Sequence, residues 1–88
     1  MLYLFCVRDS AVGAFAQPIS FPSKGVAIRT FSDEVNRQAD DNNIYRHPTD
    51  FELWYFGMFD PNSGEFDLNR PEMVCRGRDV SLSFVETN

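Results

Sequence analysis

The stretch FELWYFGMF, residues Phe51–Phe59, followed by DPNSGE at residues 60–65, decides the fold of this chain. The first part is apolar at both its odd and its even positions, as is typical of a central strand covered on both faces. In the second part Pro61 suits the second position of a turn and Gly64 suits a left-handed position. We therefore predict a hairpin in which the alternating segment EFDL returns beside the long strand.

Two further strands are predicted before residue 22. The apolar run LYLFCV, residues 2–7, is rich in β-forming residue types. A turn around Gly13 follows, and AFAQPISF, residues 14–21, can pair back antiparallel to the first strand. Pro18 has no N–H group, so we expect it at an edge, at a bulge or at the end of that strand.

The segment from Ser23 to Gln38 predicts the principal helix. Ser23 is a good N-cap residue, and apolar residues recur at spacings of three and four as one stripe: Ala27, Ile28, Phe31 and Val35. The sequence as a whole predicts an α+β fold and one domain over residues 1–88. One helix packs on a mostly antiparallel sheet of four to five strands, in the order ββαββ.

The remaining segments carry weaker signals. Residues 39–48 are polar and predict a loop, and the following TDF predicts a brief helical turn capped by Thr49 or Asp50. Pro71 is expected to end the hairpin. Residues 69–88 then form a C-terminal extension with two short strands, MVC and VSLSFV, separated by RGRD. The second of these suits an edge of the sheet or exchange with another subunit.

Composition limits the classes of function. The chain has 88 residues and a net charge of −5, which is not typical of a protein that binds duplex DNA non-specifically. All of its bases are Arg except Lys24, and Arg both stacks and binds phosphate in a fork. Two cysteines, Cys6 and Cys75, do not make a disulfide framework, so we expect a reducing cytosol. The apolar opening is too short for a membrane span.

Catalysis is not expected, nor is a metal or a cofactor. The single histidine, His47, has no Ser or Cys nucleophile at a known spacing, and we expect it to hold a turn by hydrogen bonding. The acidic segment DDNN, residues 40–43, lacks the Gly and the terminal Glu of an EF-hand loop. No Cys–His cluster suits zinc, and no Gly-rich phosphate loop is present.

Aromatic and Arg residues instead indicate a binding surface. One helix covers one face of the central strand, so the other face needs a cover, either nucleic acid or a second subunit. The alternative is that the aromatic residues are core and that the arginines pair with the surplus acids. In CRGRD, an extended chain would place two Arg side chains about 6–7 Å apart, near the spacing of successive phosphates. The candidates for binding single-stranded DNA are Arg8, Arg29, Arg46, Trp54, Tyr55, Arg76 and Arg78.

An ordered set of residues between positions 2 and 68 resembles the small non-structural protein of gokushoviruses, which are single-stranded-DNA phages of the microvirus group. The helix motif AIR-F---V is followed by a block of the form HP-DF-L---G-FD---G. The matching residues are Ala27, Ile28, Arg29, Phe31, Val35, His47, Pro48, Asp50, Phe51, Leu53, Gly57, Phe59, Asp60 and Gly64.

The resemblance implies a role in the cytoplasm of the infected bacterium and DNA binding during viral genome synthesis or packaging. The expected partners are single-stranded DNA, further copies of the chain and a phage or host replication protein, without a membrane. A protein–protein interaction module that forms a homo-oligomer or binds a host factor is the alternative. A negative, aromatic-rich sheet suits that alternative.

Overall fold

Five antiparallel strands form a sheet that is covered on one side by helices. The computed structural model describes residues 1–83. In chain order the elements are β1 (Leu2–Asp9), β2 (Ala14–Phe15), β3 (Ile19–Phe21), α1 (Lys24–Val35), α2 (Asn43–Arg46), a 3-10 helix (Pro48–Asp50), β4 (Phe51–Phe59), β5 (Phe66–Arg76) and α3 (Gly77–Val80).

The strand order is β2-β1-β4-β5, and β3 also pairs with β1. β4 therefore lies between β1 and β5, as its apolar residues on both faces predict. It pairs with β1 from Leu2 opposite Phe59 to Asp9 opposite Phe51. The predicted α+β fold with a mostly antiparallel sheet is confirmed.

Pro18 lies in a break of the strand beside β1. Arg8 pairs with Phe15 in β2, and Phe5 pairs with Ile19 in β3. Between them the Ala16 amide still donates to the Val7 carbonyl at 2.7 Å, after which the ladder stops until Ile19. The missing N–H of Pro18 thus falls where no ladder bond is needed, which is one of the positions predicted for it.

The core forms where α1 packs on the sheet. Ser23 caps the helix as predicted, with its Oγ accepting from the Val26 amide at 3.1 Å. The buried helix residues Ala27, Phe31 and Val35 pack against residues of β1 and β4. The helix ends at Val35 and not at Gln38. Asn36 stands at its C-cap, and its side-chain Nδ2 donates to the Ser32 carbonyl at 2.8 Å and to the Val80 carbonyl at 3.0 Å.

Two short helices occupy the stretch before β4: α2 lies where a loop was predicted over residues 39–48, and the 3-10 helix overlaps the brief helical turn predicted at TDF. α2 forms because Asn42 Oδ1 accepts from the Ile44 amide at 3.2 Å and because Ile44 packs against the core. The 3-10 helix begins at Pro48 and has no side-chain cap, so the predicted capping by Thr49 or Asp50 is wrong. His47 joins the two helices through its backbone: its amide donates to the Asn43 carbonyl at 2.9 Å, and its carbonyl accepts from the Asp50 amide at 3.0 Å.

β5 continues through Pro71 to Arg76, so the prediction that Pro71 ends the hairpin is wrong. β5 lies at the edge of the described sheet, where a proline is tolerated because only one side of the strand pairs. The predicted MVC strand is the end of β5. Val80 lies in α3, and residues 81–83 are not in a strand. The rest of the predicted VSLSFV strand lies outside the described residues.

The hairpin turn between β4 and β5 depends on Gly64, whose φ of +77° confirms the predicted left-handed position. We expect Gly64→Val to destabilise the protein by about 1 kcal/mol or more, because a Cβ disfavours this conformation. Thermal unfolding of Gly64→Val measures the change. Glu65→Val, which adds the same side chain to the same turn at a negative φ, is the matched control. Equal melting temperatures for the two variants would contradict the prediction.

Candidate nucleic-acid interface

The register of the sheet shows which strand residues lie away from the helices. Residues opposite one another in an antiparallel ladder point to the same face, and neighbours along a strand alternate. Phe5, Leu53 and Tyr55 belong to the core under α1. The opposite side, here called the helix-free face, includes Leu2, Leu4, Cys6, Arg8, Phe15, Glu52, Trp54, Phe56, Phe59, Phe66, Leu68, Met73 and Arg76.

Three aromatic rings meet at one end of this face, around the start of β4. The Phe15 ring stands edge-on to Trp54, with centroids 5.5 Å apart, and edge-on to Phe56, with centroids 5.4 Å apart. The Arg8 guanidinium carbon lies 5.7 Å from the centroid of the Phe15 ring. Phe15 remains 45% exposed. Phe15, Trp54, Phe56, Arg8 and Arg76 are called the aromatic–arginine cluster below.

Glu52 sets the charge within the cluster. Its Oε1 lies 3.3 Å from Arg8 Nη1 and accepts from Trp54 Nε1 at 3.1 Å. The indole is thereby held by a hydrogen bond, while the positive charge of Arg8 is largely compensated by the Glu52 carboxylate. The backbone of Arg76 lies opposite that of Glu52 in the β4–β5 ladder. Within residues 1–83, no carboxylate lies within ion-pair distance of the Arg76 guanidinium.

The other end of the helix-free face is apolar. Leu2 pairs with Phe59, and Phe59 pairs with Phe66, whose ring centroid lies 4.7 Å from that of Phe59. Phe66 is 61% exposed and Leu68 is 64% exposed. These residues and Leu4 are called the apolar end. Large apolar side chains exposed next to each other typically mark a surface that binds something.

The acidic residues of β5 point to the helix side. Asp67 pairs with Met58, which lies beside Tyr3 of the core side, and Glu72 pairs with the buried Tyr55. Glu52 is the one acidic residue on the helix-free face as defined above, and it is paired with Arg8. The net charge of −5 is therefore unevenly distributed, because this face carries two arginines and one acid.

The structure separates the residues that the sequence grouped as DNA-binding candidates. Arg8 and Trp54 both contact Glu52 in the cluster, and Arg76 lies opposite Glu52 in the β4–β5 ladder. Tyr55 does not belong to the cluster, because it is buried under α1 with its ring centroid 5.2 Å from that of Phe5. Its predicted stacking role is therefore wrong: alternation along β4 turns Trp54 outward and Tyr55 inward.

Three candidate arginines lie outside the cluster. Arg29 is exposed on α1, and Arg46 ends α2, where its Nη1 donates to the Asp40 carbonyl at 3.4 Å. Arg78 is in α3 with its Nε 3.9 Å from Asp79 Oδ1. The extended CRGRD arrangement is wrong: after Arg76 the chain enters α3, and Asp79 Oδ2 accepts from the Arg76 amide at 3.0 Å.

Sequence reasoning missed Phe15, Met73 and the apolar end. Phe15 follows a turn in a segment that is broken by Pro18, so its face was not readable until β2 was paired with β1. The alternation of Leu2, Leu4 and Cys6 against Tyr3, Phe5 and Val7 was a usable signal.

Both thiols are held in their neutral form by their surroundings, because the pKa of each is raised. Burial raises the pKa of the Cys6 thiol. Burial, and after it the negative charge of Asp79, raises the pKa of the Cys75 thiol. Residues 1–83 contain no group of three or more His, Cys, Asp or Glu side chains that could hold a metal ion. In the same part of the chain, no helix is both long and apolar enough to span a membrane.

Comparison with known proteins agrees with the resemblance seen in the sequence. The model of the family described as Phage ORF5 protein matches residues 2–80. Protein ORF5 of Chlamydia phage 1, a gokushovirus, is 36% identical over 67 residues, which cover 74% of this chain and 70% of that protein. No solved structure matches. The chain therefore belongs to the Phage ORF5 family, and it is a small phage protein.

Proposed function

We propose that this phage non-structural protein is non-catalytic and binds single-stranded DNA during viral genome synthesis or packaging, in the cytoplasm of the infected bacterium. The observation that carries the proposal is the aromatic–arginine cluster. It combines the partly exposed rings of Phe15, Trp54 and Phe56 with two arginines on a face that holds a single acid.

Single-stranded DNA is bound by aromatic faces that stack on bases and by cations that follow the phosphates. Stacking contributes about 1–3 kcal/mol per base and does not depend on the protein's net charge. Phe15 has the exposed ring in the cluster, and Trp54 stands edge-on beside it. Arg76 supplies a cation that lacks an ion-paired carboxylate in the described part of the chain. We therefore expect modest affinity that depends weakly on salt.

Fluorescence of Trp54 tests the proposal, since it is the only tryptophan in the chain. Titration with oligothymidylate should quench this emission at low salt. The variant Arg8→Gln/Arg76→Gln should weaken binding and lower the slope of log affinity against log salt by about 0.7, which corresponds to one phosphate on a single strand, because Arg8 is already paired with Glu52. The variant Arg29→Gln/Arg46→Gln removes the same charge from the helix side and should leave the slope unchanged.

The outcomes separate the possible surfaces. A slope that falls only in Arg29→Gln/Arg46→Gln would move the binding surface to the helix side. Absence of binding by the unmodified protein at low salt would exclude the DNA-binding function.

A second function is favoured by a different observation, the apolar end. Nucleic acid covers stacked rings and cations, but aliphatic side chains such as those of Leu2, Leu4 and Leu68 offer it neither. Their neighbours Phe59 and Phe66 extend the same apolar surface. A protein–protein interaction module would use this end, because the centres of protein interfaces are depleted of charged residues.

A further inference from the structure

We propose that a second copy of this chain covers the helix-free face, packing sheet against sheet around Leu4, Phe56 and Leu68. The inference deepens the interaction function and rests on it, and it does not rest on the proposal of DNA binding. It would make a four-layer dimer in which helices cover the two outer surfaces and the two helix-free faces form the centre.

The exposed apolar area matches what such a dimer requires. Phe15, Phe66, Leu68 and Met73 are 45%, 61%, 64% and 40% exposed. At about 200 Å² for a large side chain, these four residues leave roughly 400 Å² of apolar surface in contact with water. The half-buried residues Leu2, Leu4, Trp54, Phe56 and Phe59 bring the total to roughly 600 Å², the lower limit for one partner in a stable complex.

The charges of the face also suit a second copy. Arg8, Glu52 and Arg76 lie at the end near the start of β4, and the apolar end around Leu4 and Leu68 has no charged strand residue. Two copies related by a two-fold axis would therefore bring their apolar ends together at the centre of the interface. The ion pair between Arg8 and Glu52 would lie at its polar rim. Asp67 and Glu72 point to the helix side, away from the partner.

The same geometry makes DNA and the second copy competitors. Phe56 contacts Phe15 in the aromatic–arginine cluster and lies next to Gly57, which pairs with Leu68 and Leu4 of the apolar end. A second copy seated on the face would cover this ring. We therefore expect dimers to dissociate when single-stranded DNA binds.

Sedimentation velocity across a micromolar concentration series tests the inference with the full chain. The unmodified protein should approach twice the monomer mass as its concentration rises. Leu68→Asp should weaken self-association by about tenfold or more, because each dimer would bury two carboxylates in its centre. Leu82→Asp is the matched control: Leu82 is 90% exposed, lies outside the strands and should leave the dimer intact. Circular dichroism checks that both variants remain folded.

A monomer at every concentration, or a Leu68→Asp protein that dimerises as tightly as the unmodified one, would overturn the proposal that a second copy covers the helix-free face. Complementation of a phage that lacks this gene then separates the two failures. If the monomeric protein needs Leu68 to support growth, the interaction function stands with a different partner. If Leu68→Asp supports growth fully, the interaction function fails too. Oligothymidylate binding by Leu68→Asp reports on DNA binding separately, because the cluster is untouched.

Discussion

Gly57→Ala is expected to disrupt the pairing of β4 with β5 and to lower the free energy of unfolding by about 3 kcal/mol or more. Gly57 has a φ of +130°, which side chains with a Cβ rarely adopt. A Cβ at this position would also lie 2.8 Å from Leu68 Cα and 3.1 Å from the Asn69 amide nitrogen, and still closer to the Asp67 carbonyl oxygen. All three are backbone atoms, so no side chain can rotate away to make room.

Urea unfolding of Gly57→Ala against Gly64→Ala isolates the clash. Gly64 also has a positive φ, but a Cβ there meets no atom within 4 Å, so Gly64→Ala should cost only about 1 kcal/mol. Equal losses in the two variants would show that β5 shifts to admit the methyl group. The m-value should stay constant if both proteins unfold from the same compact state.

The close approach at Gly57 belongs to an irregularity that sequence patterns did not reveal. Tyr55 pairs with Phe5 and Gly57 with Leu4, which leaves Phe56 as an extra residue in β4. On the β5 side, Tyr55 pairs with Glu72 and Gly57 with Leu68. Simple alternation would place Phe56 and Trp54 together, but it would assign the wrong face to every residue beyond the irregularity.

The elements that the sequence predicted well have their own local signal. α1 has an N-cap at Ser23 and an apolar stripe at helical spacing, and β4 has a long apolar run followed by a turn with Gly64. These signals depend on neighbours within a few residues. The fold class followed from them because one amphipathic helix and several strands have few ways to bury their apolar faces.

The C-terminal part was mispredicted because its structure depends on distant contacts. α3 begins at Gly77, which is buried against Pro48: a Cβ on Gly77 would lie 3.1 Å from the Pro48 carbonyl carbon. The end of α3 is held by the Asn36 side chain, whose Nδ2 donates to the Val80 carbonyl at 3.0 Å and whose Oδ1 accepts from the Leu82 backbone amide at 2.7 Å. None of these partners lies near residue 77 in the sequence, so RGRD looked like an ordinary charged loop.

The candidate site divides in the same way. Residue type alone suggested Arg8, Trp54 and Arg76. It also suggested Tyr55, wrongly, because the sequence does not show which face of β4 is covered by α1 and therefore which residues are buried. The cluster itself required the pairing of β1 with β2 and β4, since Phe15 reaches Trp54 only through that pairing.

Asn42→Ala is expected to lower the free energy of unfolding by about 2–4 kcal/mol, the second largest effect among these variants. Asn42 is the one buried polar residue within residues 1–83. Its Nδ2 donates to the Glu34 carbonyl and to the Arg37 carbonyl, both at 2.9 Å, and its Oδ1 accepts from the Ile44 amide at 3.2 Å. One side chain therefore closes the end of α1 and begins α2. Its removal takes these hydrogen bonds away from the Glu34 and Arg37 carbonyls and from the Ile44 amide.

Three variants separate the loss of these bonds from a general effect of mutating the loop. Asn43→Ala, at the exposed neighbouring position, should change stability by less than about 0.5 kcal/mol. Asn42→Asp keeps the acceptor but loses both donors, and it places a negative charge at the negative end of α1. It should therefore be at least as destabilising as Asn42→Ala at neutral pH. Acidification should partly relieve it, because the protonated carboxyl regains one donor. If Asn42→Ala melts like Asn43→Ala, water replaces the amide, and α2 is held by Ile44 alone.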